Sequence, residues 1–299
     1  MIIDMYVCDA VIVIRELPAE RPLVAITSYD NRLYVLYARS VNQVEEYDLD
    51  DGEDADDDDD RDFYRLRLLR SLTVPGLHEL DAYDIVACGH NRCAYISDDL
   101  NECVRRLALT DGTVTQWPLN DVPACLSLTA RFTVLVTFIE VRKIKEFTTN
   151  GELLHELTLP EEMVTPTHSI QLSSGEYLVC HGDIRDPLHR VCLIDAEGRP
   201  IRSFGGPPGS GNQQLNTPVH MAVDRNGFVF VADLRNHRVM LLSPVLTYVR
   251  TVNFLRETVP GYRPRVHGPA EVHFDSDRRL LFVVDTDRHH MGQVVVVTV

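Results

Sequence analysis

The sequence has little positive charge and no long apolar segment. Its 29 lysines and arginines face 45 aspartates and glutamates, which gives a formal net charge of −16. A protein that binds RNA needs a basic face to neutralise phosphates, so this composition disfavours RNA as a partner. No run of 18 or more apolar residues is present, so no membrane helix is expected. The N-terminus lacks a basic region and a small-residue cleavage site, and we therefore predict a cytoplasmic protein.

Short catalytic and metal-binding motifs are missing as well. The chain has seven cysteines but no C-x-x-C pair, which excludes a RING or zinc-finger module. It has no G-x-S-x-G, no phosphate-binding loop and no H-E-x-x-H, so the common hydrolase, nucleotide-binding and metalloprotease motifs are absent. An odd number of cysteines without a secretory signal favours free thiols in strands over disulfides.

The pattern that is present consists of short strands. Residues 217–224 alternate toward one apolar face, and Arg225-Asn226-Gly227 supplies a turn. A second apolar run covers 228–232, and a third covers 238–242 after a polar segment. These runs are too short for helices and have the lengths of three antiparallel strands.

Weaker copies of this unit recur along the chain. Their first strands begin near Pro22, Tyr83, Pro123, Pro166, Pro218 and Pro269. The third strands of the first five copies contain the tetrads VNQV, NECV, VRKI, LHRV and NHRV. A period of roughly 40–50 residues, with short strands and no long helix, is typical of a β-propeller blade.

Blade five carries a family resemblance. Its sequence PVHMAVDRNGFVFVADLRNHRVMLL, preceded by FGGPPGSGNQQLNTP, resembles an NHL repeat, and CAYISDDLNECVRRL and YLVCHGDIRDPLHRV are similar. The resemblance implies an all-β, six-bladed propeller of four-stranded antiparallel blades, formed by residues 1–299 as one domain. Proteins of the tripartite-motif NHL class end in this domain. Because RING, B-box and coiled-coil segments are missing here, ligase activity is not expected from this chain alone.

The two ends of the chain predict how the ring closes. From Pro269 to Val299 there is room for three strands but not for a fourth. The segment Ala10 to Glu16, AVIVIRE, is a spare strand that precedes blade one. We expect it to pair as the outer strand of the last blade, because closure removes an unpaired apolar edge.

An acidic insertion separates two strands of blade one. Residues 48–62, DLDDGEDADDDDDRD, contain eleven acidic residues and one arginine, and we predict a disordered loop there. A fourth strand is expected to follow over 63–72. Loose calcium binding or recruitment of a basic partner is the functional alternative, although the ligand order of a calcium loop is missing.

The first strands also predict which residues surround the central channel. Aligning these strands on their prolines, and on Tyr83 in blade two, brings one residue of each blade to a common level: Val24, Tyr83, Cys125, His168, His220 and Glu271. Imidazole together with thiolate or carboxylate suits zinc, so His168 and His220 are candidate metal ligands. The alternative is that both histidines line the channel and bind backbone groups or water.

The segment TPTHSI (165–170) is similar to strand starts of the peptidyl-hydroxyglycine lyase propellers, which supply zinc ligands from P-H-S-L-like sequences. That similarity implies a metal-dependent lyase with zinc at the channel mouth. We nevertheless expect a monomeric, non-catalytic scaffold without a cofactor, because catalytic motifs are missing. Its loops at one propeller face, together with Tyr83, Cys125, His168, His220 and Glu271, would bind a protein or peptide. The metal-dependent lyase is the first alternative, and an RNA-binding NHL domain is the second.

Overall fold

The computed structural model describes residues 11–14, 23–37, 43–50, 65–77, 82–252, 268–286 and 292–299. Within these ranges the chain forms 24 strands and one short 3₁₀ helix, Leu234–Asn236. The strands make six four-stranded antiparallel sheets, and each sheet is one blade of a propeller. The predicted fold class is therefore confirmed. No helix in the described ranges is long and apolar enough to cross a membrane.

The first three blades follow one another along the chain, and each begins with its innermost strand. Blade 1 contains β2 (Leu23–Tyr29), β3 (Arg32–Tyr37), β4 (Gln43–Asp50) and β5 (Arg65–Thr73). Blade 2 contains β6 (Ala82–Cys88), β7 (Cys93–Asp98), β8 (Cys103–Ala108) and β9 (Val114–Pro118). Blade 3 contains β10 (Leu126–Leu128), β11 (Val134–Phe138), β12 (Lys143–Phe147) and β13 (Leu153–Thr158).

Two further blades follow the same order, and the last one combines both ends of the chain. Blade 4 contains β14 (Pro166–Gln171), β15 (Tyr177–His181), β16 (His189–Ile194) and β17 (Pro200–Gly206). Blade 5 contains β18 (Pro218–Val223), β19 (Val229–Asp233), β20 (Arg238–Leu242) and β21 (Tyr248–Val252). Blade 6 contains β22 (Pro269–Asp275), β23 (Leu280–Thr286), β24 (Gly292–Thr298) and β1 (Val11–Ile14).

Ring closure occurs in blade 6 as predicted. Strand β1 pairs antiparallel with β24, so that Val11 lies opposite Val297 and Ile14 lies opposite Val294. Without β1, strand β24 would be the edge of its sheet and would expose unpaired backbone groups. The N-terminal strand therefore ties the first part of the chain to the last.

The turn predicted in blade 5 has a clear local cause. Gly227 lies at a φ of +82°, a left-handed conformation that glycine adopts without steric cost. The Oδ1 atom of Asp224 accepts hydrogen bonds from the backbone N–H groups of Asn226 and Phe228, at 2.9 and 2.8 Å. This side chain closes the hairpin between β18 and β19.

The hydrophobic core is divided among the contacts between neighbouring blades. Side chains alternate between the two faces of a strand, so each sheet presents one apolar face to the blade before it and one to the blade after it. Phe230 of blade 5, for example, packs in one cluster with Val283 and Val297 of blade 6. Similar clusters join the other neighbours, and one between Leu33 and Phe282 joins blade 1 to blade 6. Burial of apolar surface thus stabilises the whole ring.

The direction of the first strands defines two faces of the disc. We name the face at which these strands begin the upper face and the face at which they end, in a hairpin turn, the lower face. The connections between blades lie on the upper face. One of them is held by the buried pair of Asp98 and Arg105, whose guanidinium also donates to the carbonyl oxygens of Pro75 and Gly76 at 2.8 Å.

The predicted acidic loop begins later than expected. Asp48, Leu49 and Asp50 belong to β4, where Asp48 forms ion pairs with Arg67 and Arg32. The boundary at residue 48 is therefore wrong, because these basic partners keep the first acidic residues in the sheet. The remainder of the predicted loop, 51–62, lies outside the described residues.

Candidate functional site in the central channel

The first strand of each blade lines the channel, and a repeated irregularity sets which side chains meet there. Strand pairing shifts register between Pro166 and His168, and an equivalent shift occurs in blades 1, 2, 5 and 6. In these five blades, the residue after the shift occupies one equivalent position. In blade 3 the equivalent residue is Cys125, which directly precedes the pair of Leu126 and Val136. We name this set the channel ring: Ala25, Asp84, Cys125, His168, His220 and Glu271.

The structure places four of the five predicted site residues in this ring, but not Tyr83. Asp84 takes the place expected for Tyr83, and Ala25 takes the place expected for Val24. The error arose because blade 2 has no proline to mark the start of its strand, and in blade 1 the proline precedes the strand by one residue. An apolar residue directly follows Asp84, His220 and Glu271 in their strands. Alignment of the first strands on this apolar residue identifies Asp84 as the ring residue of blade 2.

Four of the six ring side chains each connect their blade to the next by a hydrogen bond to the backbone. In each case the acceptor belongs to one blade and the donating N–H belongs to the first strand of the following blade. The bonds run from Leu126 to Asp84, from Met221 to His168 Nδ1, from Val272 to His220 Nδ1 and from Ile26 to Glu271, with lengths of 2.7, 3.1, 3.5 and 3.1 Å.

This arrangement has a simple physical cause. The innermost strand of a blade has one edge without a neighbouring strand, and its buried N–H groups need acceptors from elsewhere. Carboxylates and unprotonated imidazole nitrogens of the preceding blade supply these acceptors. Polar ring residues therefore have a structural role, which agrees with the channel-lining alternative considered for His168 and His220.

Glu271 offers a test of this structural role. Changing Glu271→Ala leaves the buried Ile26 N–H without an acceptor, and we expect the free energy of unfolding to fall by about 1–3 kcal/mol. Glu271→Gln retains an acceptor oxygen and should cost less. Urea unfolding followed by the fluorescence of Trp117, the single tryptophan, measures both changes. Equal losses in the two variants would contradict the role of the hydrogen bond.

The two ring histidines stack on each other. Their ring centroids lie 3.8 Å apart and their planes differ by 13°. The Nδ1 atom of His168 accepts from Met221, and its Nε2–H donates to the carbonyl oxygen of Leu126 at 3.2 Å. Both nitrogens of His168 are therefore engaged. In contrast, the buried Nε2 of His220 has no hydrogen-bond partner within the described ranges and lies 3.7 Å from Asp84 Oδ2.

Burial sets the protonation of the other ring groups. It lowers the pKa of His168 well below the usual range, and the neighbouring His220 lowers it further. Burial also raises the pKa of Glu271, and the negative charge of Asp84 acts in the same direction. The pKa of the Cys125 thiol is raised by burial and then by Asp84. A neutral imidazole and a protonated thiol do not form an activated nucleophile.

Two cavities meet at the ring. The upper pocket has a volume of about 190 Å³ and opens on the upper face. Its polar lining comprises Tyr83, Asp84, Cys125, His220 and Glu271, and its apolar lining comprises Val24, Val219, Leu234 and Ala270. The lower pocket has a volume of about 230 Å³ and adds His168 and His273, while Asp84, His220 and Glu271 line both cavities. Four of the five predicted site residues thus meet in the upper pocket, whereas His168 lines the lower pocket.

Three ring residues could hold a cation. Asp84, His168 and His220 each offer a ligand atom, and these atoms lie within 4.8 Å of one another. A metal ion binds close to the plane of an imidazole ring at about 2.0–2.1 Å from nitrogen. Since the two rings are stacked nearly parallel, one ion could not lie in both planes without a rotation of at least one ring. The present geometry is better suited to hydrogen bonding than to coordination by both histidines.

His273 was missed by the sequence interpretation. Its Nε2 atom accepts from the backbone N–H of Ser28 in blade 1 at 3.1 Å, two residues below the ring. The pKa of His273 is lowered to about 4, chiefly by burial. The signal for His273 in the sequence is the alternation of side chains along β22. This alternation places residues 271 and 273 on the same side of the strand.

Comparison with known proteins agrees on the fold. No family model matches this sequence. Hydrazine synthase of Kuenenia stuttgartiensis is similar with a TM-score of 0.62 at 12% identity, over 95% of this chain and 97% of that chain. Virginiamycin B lyase of Staphylococcus aureus is similar with a TM-score of 0.61 at 10% identity, over 97% of this chain and 98% of that chain.

These similarities support a six-bladed propeller and nothing finer. The two proteins carry different activities in their names, and at such low identity a shared fold does not transfer either activity. A further similar structure, a streptogramin B lyase, has a TM-score of 0.61 at 10% identity. The resemblance to NHL repeats therefore rests on the sequence pattern of the blades alone.

Proposed function

We propose that this propeller is a non-catalytic binding module and that a protein or peptide segment docks at the upper pocket. The observation that carries the proposal is an open pocket whose ring groups are already used by the fold. Asp84 and Glu271 accept backbone hydrogen bonds, and Cys125 is a buried, protonated thiol. A rigid ring that keeps a shaped, partly polar pocket is suited to recognition.

The lining of the pocket favours a peptide over RNA. Tyr83 is 42% exposed at the mouth, and apolar residues such as Val24 and Leu234 stand beside it. Exposed aromatic side chains next to an apolar wall are typical of protein-binding surfaces. The carboxyl groups of Asp84 and Glu271 at the floor would repel a phosphate backbone. The NHL-like pattern of blade five agrees with a binding role for the disc.

A random peptide library tests this proposal. The peptides are attached to beads through their carboxyl ends, and the full chain is used to select ligands. We expect Tyr83→Ala to weaken the selected peptides at least tenfold, because it removes the exposed aromatic contact at the pocket. Affinities are measured by fluorescence polarisation of the resynthesised peptides.

Phe132 provides a matched control on the other face. It is an aromatic residue that is 43% exposed in the hairpin turn after β10, where it stacks on His90. Phe132→Ala should leave the affinities within twofold of the parent. If the peptides bind Tyr83→Ala as well as the parent, the upper pocket is not the docking site. If no peptide is selected, the proposed docking of protein segments fails.

A further inference from the structure

Two carboxyl groups at the floor of the upper pocket have no lysine or arginine partner among the described residues. Asp84 and Glu271 are 2% and 5% exposed, and both line the pocket. In the described part of the chain, Asp84 contacts two backbone N–H groups, the Cys125 thiol and His220, and Glu271 contacts the N–H of Ile26. A buried carboxylate without a cation is costly, so a cationic ligand group would be stabilised at this floor.

His220 supplies an independent observation on the same floor. Its side chain is nine-tenths buried, and it lines the pocket. Because Nδ1 accepts from Val272, the neutral ring carries its proton on Nε2. Among the residues that the structure describes, that Nε2–H has no hydrogen-bond partner. The floor therefore suits a ligand that offers a cationic donor and a neighbouring acceptor.

We infer that the upper pocket captures the free amino terminus of a peptide. The α-ammonium group would lie between Asp84 and Glu271, and the first carbonyl oxygen would accept from His220 Nε2–H. The apolar wall formed by residues such as Val24 and Leu234 would contact the first side chain. The cavity of about 190 Å³ is several times the volume of about 30 Å³ that one water occupies in the liquid. This inference rests on the proposed function and adds the chemistry of the ligand.

Other classes of ligand would contact fewer of the groups that line the upper pocket. A lysine side chain carries an ammonium group but has no acceptor beside it for His220. A metal ion would leave the apolar wall without a contact, and the stacked rings do not converge on one point. A free amino terminus has both groups within one residue, and capture of terminal amines is a known mode of peptide recognition.

Calorimetric titration of the full chain with two peptides tests the inference without any mutation. The probes are leucyl-triglycine and its N-acetylated form, which differ in the amino terminus alone. We expect the free peptide to bind at least tenfold more tightly than the acetylated one. Its affinity should also fall above about pH 8, where an α-ammonium group loses its proton.

Three variants locate the binding. Asp84→Asn retains an oxygen for the Leu126 N–H but removes the charge, and it should weaken leucyl-triglycine at least tenfold. His220→Asn retains an acceptor near the Nδ1 position and removes Nε2, and it should weaken binding severalfold. Asp277→Asn changes an exposed acidic residue on the lower face and should have no effect. Thermal unfolding of each variant confirms that the ring is intact.

The outcomes separate this inference from the proposed function. Equal binding of the acetylated peptide would overturn the inference, as would equal binding of n-butylammonium or displacement of the peptide by stoichiometric zinc or calcium. If library peptides depend on Tyr83 but tolerate acetylation, the binding module stands and amino-terminal capture fails. If leucyl-triglycine binds through Asp84 while no library peptide is selected, amino-terminal capture stands and the wider docking function fails.

Discussion

Replacing Arg105 by alanine is expected to lower the free energy of unfolding by about 3–5 kcal/mol, because it leaves a buried carboxylate without its cation. Asp98 is fully buried and Arg105 is 5% exposed, with 2.6 Å between Asp98 Oδ2 and Arg105 Nε. The same guanidinium holds the carbonyl oxygens of Pro75 and Gly76, which belong to the connection from blade 1 to blade 2. The change therefore removes an ion pair and an anchor between blades.

Urea unfolding followed by Trp117 fluorescence measures this loss. Arg199→Ala serves as the control, because Arg199 pairs with Asp195 while its own side chain is 73% exposed. That variant should leave the midpoint unchanged, since exposed ion pairs contribute little. The double change Arg105→Ala with Asp98→Asn should recover part of the stability by removing the unpaired charge. The explanation fails if Arg105→Ala is as mild as the control.

The same arrangement occurs again in blade 5. Arg238 pairs with Asp233 at 2.8 Å and donates to three carbonyl oxygens of the preceding connection, which belong to Ser210, Gly211 and Gln214. This repetition indicates that the Asp–Arg pair is a structural part of the blade. It is therefore not a candidate for the functional site.

Acidification from pH 7.5 to pH 5 is expected to destabilise the protein by about 2 kcal/mol for each strongly buried histidine. Burial lowers the pKa of His181 and of His273 to about 4, and it lowers that of His168 as well. The unfolded value is about 6.5, so the unfolded chain takes up protons first as the pH falls. The stabilisation that these residues provide above pH 6.5 is therefore lost between about pH 6.5 and pH 4.

Glu271 acts in the opposite direction. Its pKa is raised by burial and by Asp84, so its folded form binds a proton at higher pH than the unfolded form and gains stability on acidification. Burial raises the pKa of Asp233 as well. Three histidines oppose these two carboxyl groups, and we expect a net loss. Denaturant midpoints at several pH values measure the slope.

His181→Gln isolates one contribution to that slope. His181 lies at the end of β15, and Arg190 lowers its pKa in addition to burial. The parent should lose about 2 kcal/mol more than this variant between pH 7.5 and pH 5. His155→Gln replaces an exposed histidine on β13 and serves as the control. A difference for His181→Gln that does not exceed the control would contradict the assignment.

Most residues of the channel ring could be predicted because a proline marks the start of the first strand in most blades. A proline precedes His168, His220 and Glu271 by two residues, and this fixed offset brought them to one level. Blade 2 lacks that mark, and the register shift between Ala82 and Asp84 cannot be read from composition. Asp84 was therefore missed.

The roles of the ring residues depend on contacts between blades. His168 accepts from Met221, which lies 53 residues away in the sequence, and Glu271 accepts from Ile26, which lies 245 residues away. A sequence pattern shows residue types that suit zinc, but it does not show that both nitrogens of His168 are engaged. The stacking of the two imidazoles likewise arises from the position of neighbouring blades.

The sequence by itself determined the number of blades, the order of their strands and the closure by the N-terminal strand, since alternation, turns and period are local properties of the chain. Tertiary structure decided which side chains face each other across the channel, which acceptors serve the inner strands and which polar atom is left without a partner. These properties depend on the register shift and on the distance between blades, and neither is encoded within a single repeat.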